Sequence, residues 1–249
     1  MSCLRLSALL TVVIHIATST PTPTPTPKDI LVRLPPSLDP AANTSDHPKF
    51  TLPPTYWQSG NWKVTYTSSA SYRTLINMQF DSYPVLPSCT APSPSACPPG
   101  TFPGQLVDMT SYNLPNTTNT SSVINTAFGY DTPRRLNEPS LGPGRNGVYD
   151  FRGTGPLNST TNSWEIVAWG KDENRDDWWV LYETPATGPD PQAAAISIES
   201  RVETGPTQAV LSGVKERLKS LGNEELSELV DRIGPIAVEA CQQNEGLIA

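Results

Sequence analysis

From Trp62 onward, short runs of alternating apolar and polar residues recur along the chain. Trp62-Lys63-Val64-Thr65-Tyr66-Thr67 has the two-residue period of a strand with one buried face. Further strands are expected at 74–80, 105–113, 123–130 and 148–152. Trp164-Glu165-Ile166-Val167-Ala168-Trp169, Trp178-Trp179-Val180-Leu181-Tyr182 and Ala195-Ile196-Ser197-Ile198-Glu199-Ser200 complete a set of eight. They are rich in Trp, Tyr, Val and Ile and are separated by Gly, Pro, Asn and Asp, the pattern of an all-β domain. The period then changes. Val210, Leu211, Val214, Leu218 and Leu221 recur at helical spacing, with Lys215, Glu216, Arg217 and Lys219 largely between them. Gly222 stops this helix, and Asn223 can cap a second one reaching about Ile233, before Gly234-Pro235.

Sequential strands tend to pair, so the economical topology is an antiparallel meander. Closing the sheet at eight strands removes its edges and leaves an interior that side chains fill or that holds one small ligand. The fold class expected is therefore all-β. It is an eight-stranded antiparallel up-and-down β-barrel with one or two helices packed outside, the apolar helix stripe lying against the barrel.

The N-terminal region changes the picture. Residues 1–19 join a basic start at Arg5, an apolar run from Leu6 to Ile16 and the small residues Ala17-Thr18-Ser19, the three parts of a secretory signal peptide. The apolar run is too short to span a bilayer, and membrane contact is not indicated. Thr20 to Pro27 repeats Thr-Pro, an extended, solvated spacer. The domain plan is a signal peptide at 1–19, a Thr/Pro-rich irregular segment at 20–55, the barrel and helix at 56–222, and a helical extension at 223–249. Sequons begin at Asn43, Asn116, Asn119 and Asn158, as expected of surface loops in a secreted, extracellular glycoprotein. Cys89, Cys97 and Cys241 are the cysteines left after signal removal. Cys89 and Cys97 share one Pro-rich loop, Cys241 can pair with either, and one of the three is left over.

Charge and chemistry exclude several classes. With 17 Lys+Arg against 24 Asp+Glu, the net charge of -7 offers nothing to a phosphate backbone, so no nucleic-acid partner is expected. The single mature histidine, His47, precedes the first strand, and no Cys or His pattern with zinc-ligand spacing is present. The charged run Lys171 to Asp177 reads as a solvated turn rather than a calcium loop. No catalytic residue, metal ligand or cofactor is assigned.

Three features, in order, resemble the lipocalins. Gly60-Asn61-Trp62 looks like their Gly-x-Trp motif on the first strand. Asp177-Trp178 resembles their middle motif, with Trp replacing Tyr, and Arg201 resembles the single Arg that closes the last strand. Ile196 to Gly222 is similar to the bacterial lipocalin and apolipoprotein D branch. The resemblance spans Gly60 to Gly222 and implies that Trp62 packs beneath Arg201 and closes one end of the barrel. It also favours a bond from Cys241 back to the barrel. Violaxanthin de-epoxidases are enzymes on a lipocalin-like barrel, so the resemblance leaves an enzymatic relative open.

Residues two apart on a strand share a face. With Trp62 inward, the expected lining is Val64, Tyr66, Tyr149, Phe151, Trp164, Ile166, Trp178, Val180 and Tyr182, each of which core filling also explains. Ala168 would share the inward face of its strand. Placing Arg201 across Trp62 also turns Glu199 and Ser197 inward, which makes Glu199 a polar handle unless the strand twists. The function expected is a secreted carrier binding a small hydrophobic molecule, such as a lipid or fatty acid, in the barrel interior. The alternatives are an enzyme on the same barrel acting on an apolar substrate, and a secreted interaction protein with a filled barrel.

Overall fold

A computed structural model describes residues 30–39, 50–54, 57–86, 96, 104–115, 124–134 and 147–239. The expected signal peptide, the Thr-Pro spacer, His47, Cys89, Cys97, Cys241, Asn43, Asn116 and Asn119 lie outside the described residues.

Eight strands form one antiparallel meander: β1 (Gly60–Thr67), β2 (Ile76–Pro84), β3 (Leu106–Asn113), β4 (Ile124–Pro133), β5 (Val148–Thr154), β6 (Thr161–Lys171), β7 (Asp177–Glu183) and β8 (Ala195–Ser200). β1 pairs with β2 on one side and with β8 on the other, so the sheet closes. This is a closed eight-stranded up-and-down barrel, with helices α1 (Gln208–Lys219) and α2 (Glu224–Asp231) outside.

The helices form for local reasons and stay because they bury a stripe. Gly222, at φ +72°, takes the left-handed conformation that ends α1. The Asn223 side chain then accepts a hydrogen bond from the Leu226 N–H at 2.9 Å and caps α2. Val210, Leu211, Val214 and Leu218 of α1, with Leu226, Leu229 and Val230 of α2, pack on the outer faces of β7 and β8. Residues 30–38 extend this outer layer along β6, where Arg33 N–H bonds the Val167 carbonyl at 3.0 Å and Arg33 Nε bonds that of Ile166 at 2.7 Å.

The segment after α2 is not a plain helical extension. It forms a two-residue strand, β9 (Gly234–Pro235), paired with Tyr66 and Thr67 of β1. Ala237 then bridges to Ile76 of β2, and its carbonyl accepts from the Asn77 N–H at 3.0 Å. The β1–β2 register runs only from Gly60↔Ser82 to Lys63↔Gln79. Residues 234–237 thus fill the upper half of that seam, where β1 and β2 diverge. Pro235 lacks an N–H, which suits so short a strand.

Besides a register shift between Ile76 and Gln79 on β2, two β-bulges bear on which face the expected lining takes. One falls between Val64 and Tyr66, where β1 gains a residue against β8; the other falls between Ile166 and Ala168 on β6. An extra residue reverses the alternation beyond it.

Candidate ligand cavity

The barrel is a cup with a sealed base. The Arg201 guanidinium lies 3.7 Å from the Trp62 ring centroid. Trp62 stacks on Trp179 at 4.4 Å on its other side. Arg201 also donates to the carbonyls of Asn61 at 2.7 Å, Trp57 at 2.6 Å and Ser59 at 2.7 Å. A single side chain therefore ties the segment entering β1 to the end of β8. Tyr149, Leu106 and Ile166 fill the space around this column, and Tyr149 stacks on Trp164 at 4.1 Å.

Above the aromatic base is a cavity of about 390 Å³, within the range of small-molecule sites. Trp164 and Trp179 form its floor. Met78, Phe80, Tyr112, Phe151 and Leu181 supply apolar wall. The far end is bordered by the β1–β2 loop (Ser69, Ser71), the β5–β6 loop (Leu157, Thr160) and the β7–β8 loop (Ala186, Asp190, Gln192).

Of the residues expected inside, Phe151 and Trp164 line the cavity, while Tyr149 and Ile166 lie in the layer beneath it. Val64 faces inward but is covered, packed with Met78 and Ile236. Four are not inside. Tyr66, Trp178, Val180 and Tyr182 belong to the outer layer, packed with the helices, and Ala168 joins them. For Tyr66 and Ala168 the cause is the bulge preceding each. For β7 the cause is burial of both faces: Trp178, Val180 and Tyr182 meet α1 and α2, while Trp179 and Leu181 meet the interior. A strand apolar on both faces carries no parity signal. The register was the usable clue: Trp179 pairs with Glu199 and Leu181 with Ser197. Placing Arg201 at the base fixes β8, and β8 fixes β7. Of the sequons, Asn158 is described and is exposed, on the β5–β6 loop.

The pattern turned Glu199 inward but did not point to Asp108, Asp131 or Glu183. Asp108 (7% exposed), Asp131 (1%) and Glu199 (0%) line the cavity together with partly buried Glu183. Glu183 is well supplied with donors: Tyr72 Oη–H donates to it at 3.0 Å and Ser197 Oγ–H at 2.6 Å. Glu199 accepts from Trp179 Nε1–H at 2.8 Å through one oxygen. Glu199 Oε1, Asp108 Oδ1 and Asp131 Oδ1 have no hydrogen-bond partner.

Burial raises the proton affinity of all four, and they reinforce one another. Burial, then the charges of Glu183 and Asp81, push Asp108 from 3.8 up to about 7. Burial, then Asp108, push Asp131 well above the usual range, against a hydrogen bond from Trp164. Burial pushes Glu199 well up against the Trp179 N–H, with Glu183 and Asp108 adding to the rise and Arg201 opposing it. Burial raises Glu183, against the hydrogen bonds from Ser197 and Tyr72. Burial, then Glu183, also push the Tyr72 hydroxyl up.

Among the described residues, no three His, Cys, Asp or Glu side chains converge closely enough to hold a metal ion. The Lys171–Asp177 run is a self-capped turn, in which Asp172 Oδ1 accepts from the N–H groups of Asn174 at 2.9 Å and Asp176 at 3.0 Å. No described helix is long and apolar enough to cross a membrane.

No protein-family model matches the chain. Among solved structures it is similar to apocrustacyanin C2, with a TM-score of 0.44, 10% identity, and 73% of this chain and 78% of that one covered. It is also similar to the siderocalin Ex-FABP, with a TM-score of 0.40, 8% identity, and coverage of 73% and 95%. In sequence it is 32% identical over 216 residues to the botcinic acid biosynthesis cluster B protein 12 of Botryotinia fuckeliana (strain B05.10), covering 84% of each chain. With that identity sustained across most of both chains, this protein belongs to the family of the botcinic acid biosynthesis cluster B protein 12.

Proposed function

We propose that the protein is a secreted binder of a small, largely apolar molecule held inside the barrel. The observation that carries this reading is the cavity of about 390 Å³ above a sealed aromatic base. Apolar burial at ~25 cal/mol per Å² supplies the affinity, and the few polar groups set the orientation. The relative's name ties that protein to the biosynthesis of a small organic acid, which suits a role for this chain in handling a small organic molecule. Secretion rests on the N-terminal pattern, and the strand–Arg–helix run from Ile196 to Gly222 supports a place near the bacterial lipocalin and apolipoprotein D branch.

Titration of the purified protein with a panel of retinoids, alkyl alcohols, amines and fatty acids tests the binding. Trp164 and Trp179 line the cavity, so occupancy is expected to quench the intrinsic tryptophan emission. A flat response, with no ligand heat in calorimetry across the panel, refutes it.

A second reading is favoured by one observation. Glu183 accepts hydrogen bonds from Tyr72 and from Ser197 beside Asp108, a carboxyl poised near neutrality. Carboxyls so tuned are the equipment of general acid–base catalysis, and they suit an enzyme acting on an apolar substrate within the same cavity. Turnover of a bound compound, abolished by Asp108→Asn with binding intact, would establish this reading over simple carriage.

A further inference from the structure

We propose that the ligand held in the barrel is an apolar amine, bound as its ammonium ion between Asp108, Asp131 and Glu199 with its hydrocarbon against Trp179, Phe80 and Leu181. The inference rests on the small-molecule reading above and assigns the head-group chemistry of that same site.

The first argument is the placement of the acids. On adjacent strands, Asp108 registers with Gly129 and Leu106 with Asp131, so Asp108 and Asp131 are diagonal neighbours on one face. Glu199 comes from β8, with four strand pairings between β4 and β8 around the wall. Each of the three is more than nine-tenths buried, lines the cavity and carries an oxygen without a partner. An acceptor left unmade in a dry interior is expensive, so three such acids around one cavity call for a donor. An alkylammonium group has three N–H donors and a positive charge.

The second argument is what surrounds them. No Lys, Arg or His lines the cavity among the described residues. The cation that acts on Glu199 is Arg201, which spends its donors on the backbone of the base and its face on Trp62. Neither Asp108 nor Asp131 has a cation opposing its rise. Aromatic rings stand next to the acids, and ring faces attract ammonium groups as well as hydrocarbon. Asp190 and Glu183 add two further acids to the lining, and the whole chain is acidic. A fatty-acid carboxylate would find no cation along the described lining to offset its own desolvation, so the fatty acid expected from the sequence is the disfavoured member of the lipid class.

A metal ion is the competing cation. The acids do not converge on one point closely enough to ligate one, whereas an ammonium with a hydrocarbon tail fits a wide cavity with apolar walls. Binding follows a simple proton balance. Burial keeps these carboxyls protonated when they are unpaired; an ammonium entering the site replaces carboxyl protons, and those protons leave to the buffer.

The test uses three isosteres, octylammonium, octanol and octanoate, with the whole mature protein at pH 7. Affinities come from tryptophan quenching, and proton release from calorimetry in two buffers of different ionisation enthalpy. Octylammonium is expected to bind about tenfold to a hundredfold more tightly than octanol, the worth of a hydrogen-bonded ion pair. It is also expected to release protons on binding, which octanol is not, and octanoate is expected to bind weakest. In the isosteric double variant Asp131→Asn/Glu199→Gln the amine's advantage over octanol should shrink to less than about threefold, with an unchanged near-UV circular dichroism spectrum as the measure of an intact fold. Octanol or octanoate binding as well as the amine overturns the ammonium assignment and leaves the small-molecule reading standing. An amine advantage that persists in the double variant, or that comes without proton release, also overturns it. Failure of all three to bind removes the small-molecule reading itself. If the double variant does not fold, proton release by the wild-type protein decides.

Discussion

Arg201 should hold the base of the barrel by three hydrogen bonds and one stacked face, and removing it separates their contributions. Its donors reach the carbonyls of Asn61, Trp57 and Ser59, and its plane lies 3.7 Å from the centroid of Trp62. At about 1 kcal/mol per hydrogen bond after exchange with water, and about 1 kcal/mol for the stack, Arg201→Ala is expected to destabilise by about 4 kcal/mol. Arg201→Lys keeps the charge and one donor but loses the fork and the flat face, so it should fall between the two, at about 2–3 kcal/mol. Urea unfolding followed by tryptophan emission measures both, as a shift in midpoint at constant slope. The stack alone is isolated by a double-mutant cycle with Trp62→Leu, in which a coupling of about 1 kcal/mol is expected. An Arg201→Ala variant within about 0.5 kcal/mol of wild type, the range of an ordinary surface substitution, would refute the reasoning. It would mean that the segment before β1 is held by its own packing.

Raised carboxyl pKa values make stability fall as pH rises. The folded state binds the Asp108 proton more tightly than the unfolded chain does, so its contribution is complete below the ordinary 3.8 and is lost as pH climbs through about 7. Urea midpoints should therefore decline from pH 4 to pH 7, and Asp108→Asn should flatten that slope; a midpoint rising over this interval contradicts the burial of these acids. Trp179→Phe removes the N–H donor to Glu199 and shrinks the stack on Trp62, and is expected to destabilise by about 2 kcal/mol and to weaken the ligand-dependent quenching, both read by fluorescence. Gly205 sits at φ +72°, and a Cβ there would lie 2.8 Å from Thr65 Oγ1, so Gly205→Ala should cost about 1–3 kcal/mol, whereas Gly222→Ala, at the same φ with open space around it, should cost about 1 kcal/mol; equal midpoints for the two would remove the steric argument. Asn158, exposed on the β5–β6 loop, is expected to carry a glycan on protein secreted from a eukaryotic host, visible as a mass loss on deglycosylation that Asn158→Gln abolishes.

Local pattern determined the elements of this protein. Eight apolar-rich segments punctuated by turn residues, then two helical stripes around Gly222-Asn223, were readable because side-chain period and turn chemistry act within a few residues. Closure of the meander into a barrel was also within reach, because it follows from the need to hide sheet edges. The pairing of Arg201 with Trp62 came from a motif resemblance, and the inward turn of Glu199 followed from it. Only the tertiary structure decided which residues face the cavity. Tyr66 and Ala168 turn outward because each follows a bulge on its own strand that alternation does not reveal, and Trp178, Val180 and Tyr182 turn outward because helices remote in sequence bury that face of β7. Pairing of residues 234–237 into the β1–β2 seam is likewise a contact across more than 150 residues of chain, and the meeting of Asp108, Asp131 and Glu199 joins three strands that are separate in sequence. Asp108 alone reads as an ordinary polar position on a strand, and Asp131 falls just past the fourth expected strand. Their shared effect arises because a closed sheet turns one face of distant strands toward the same water-poor space.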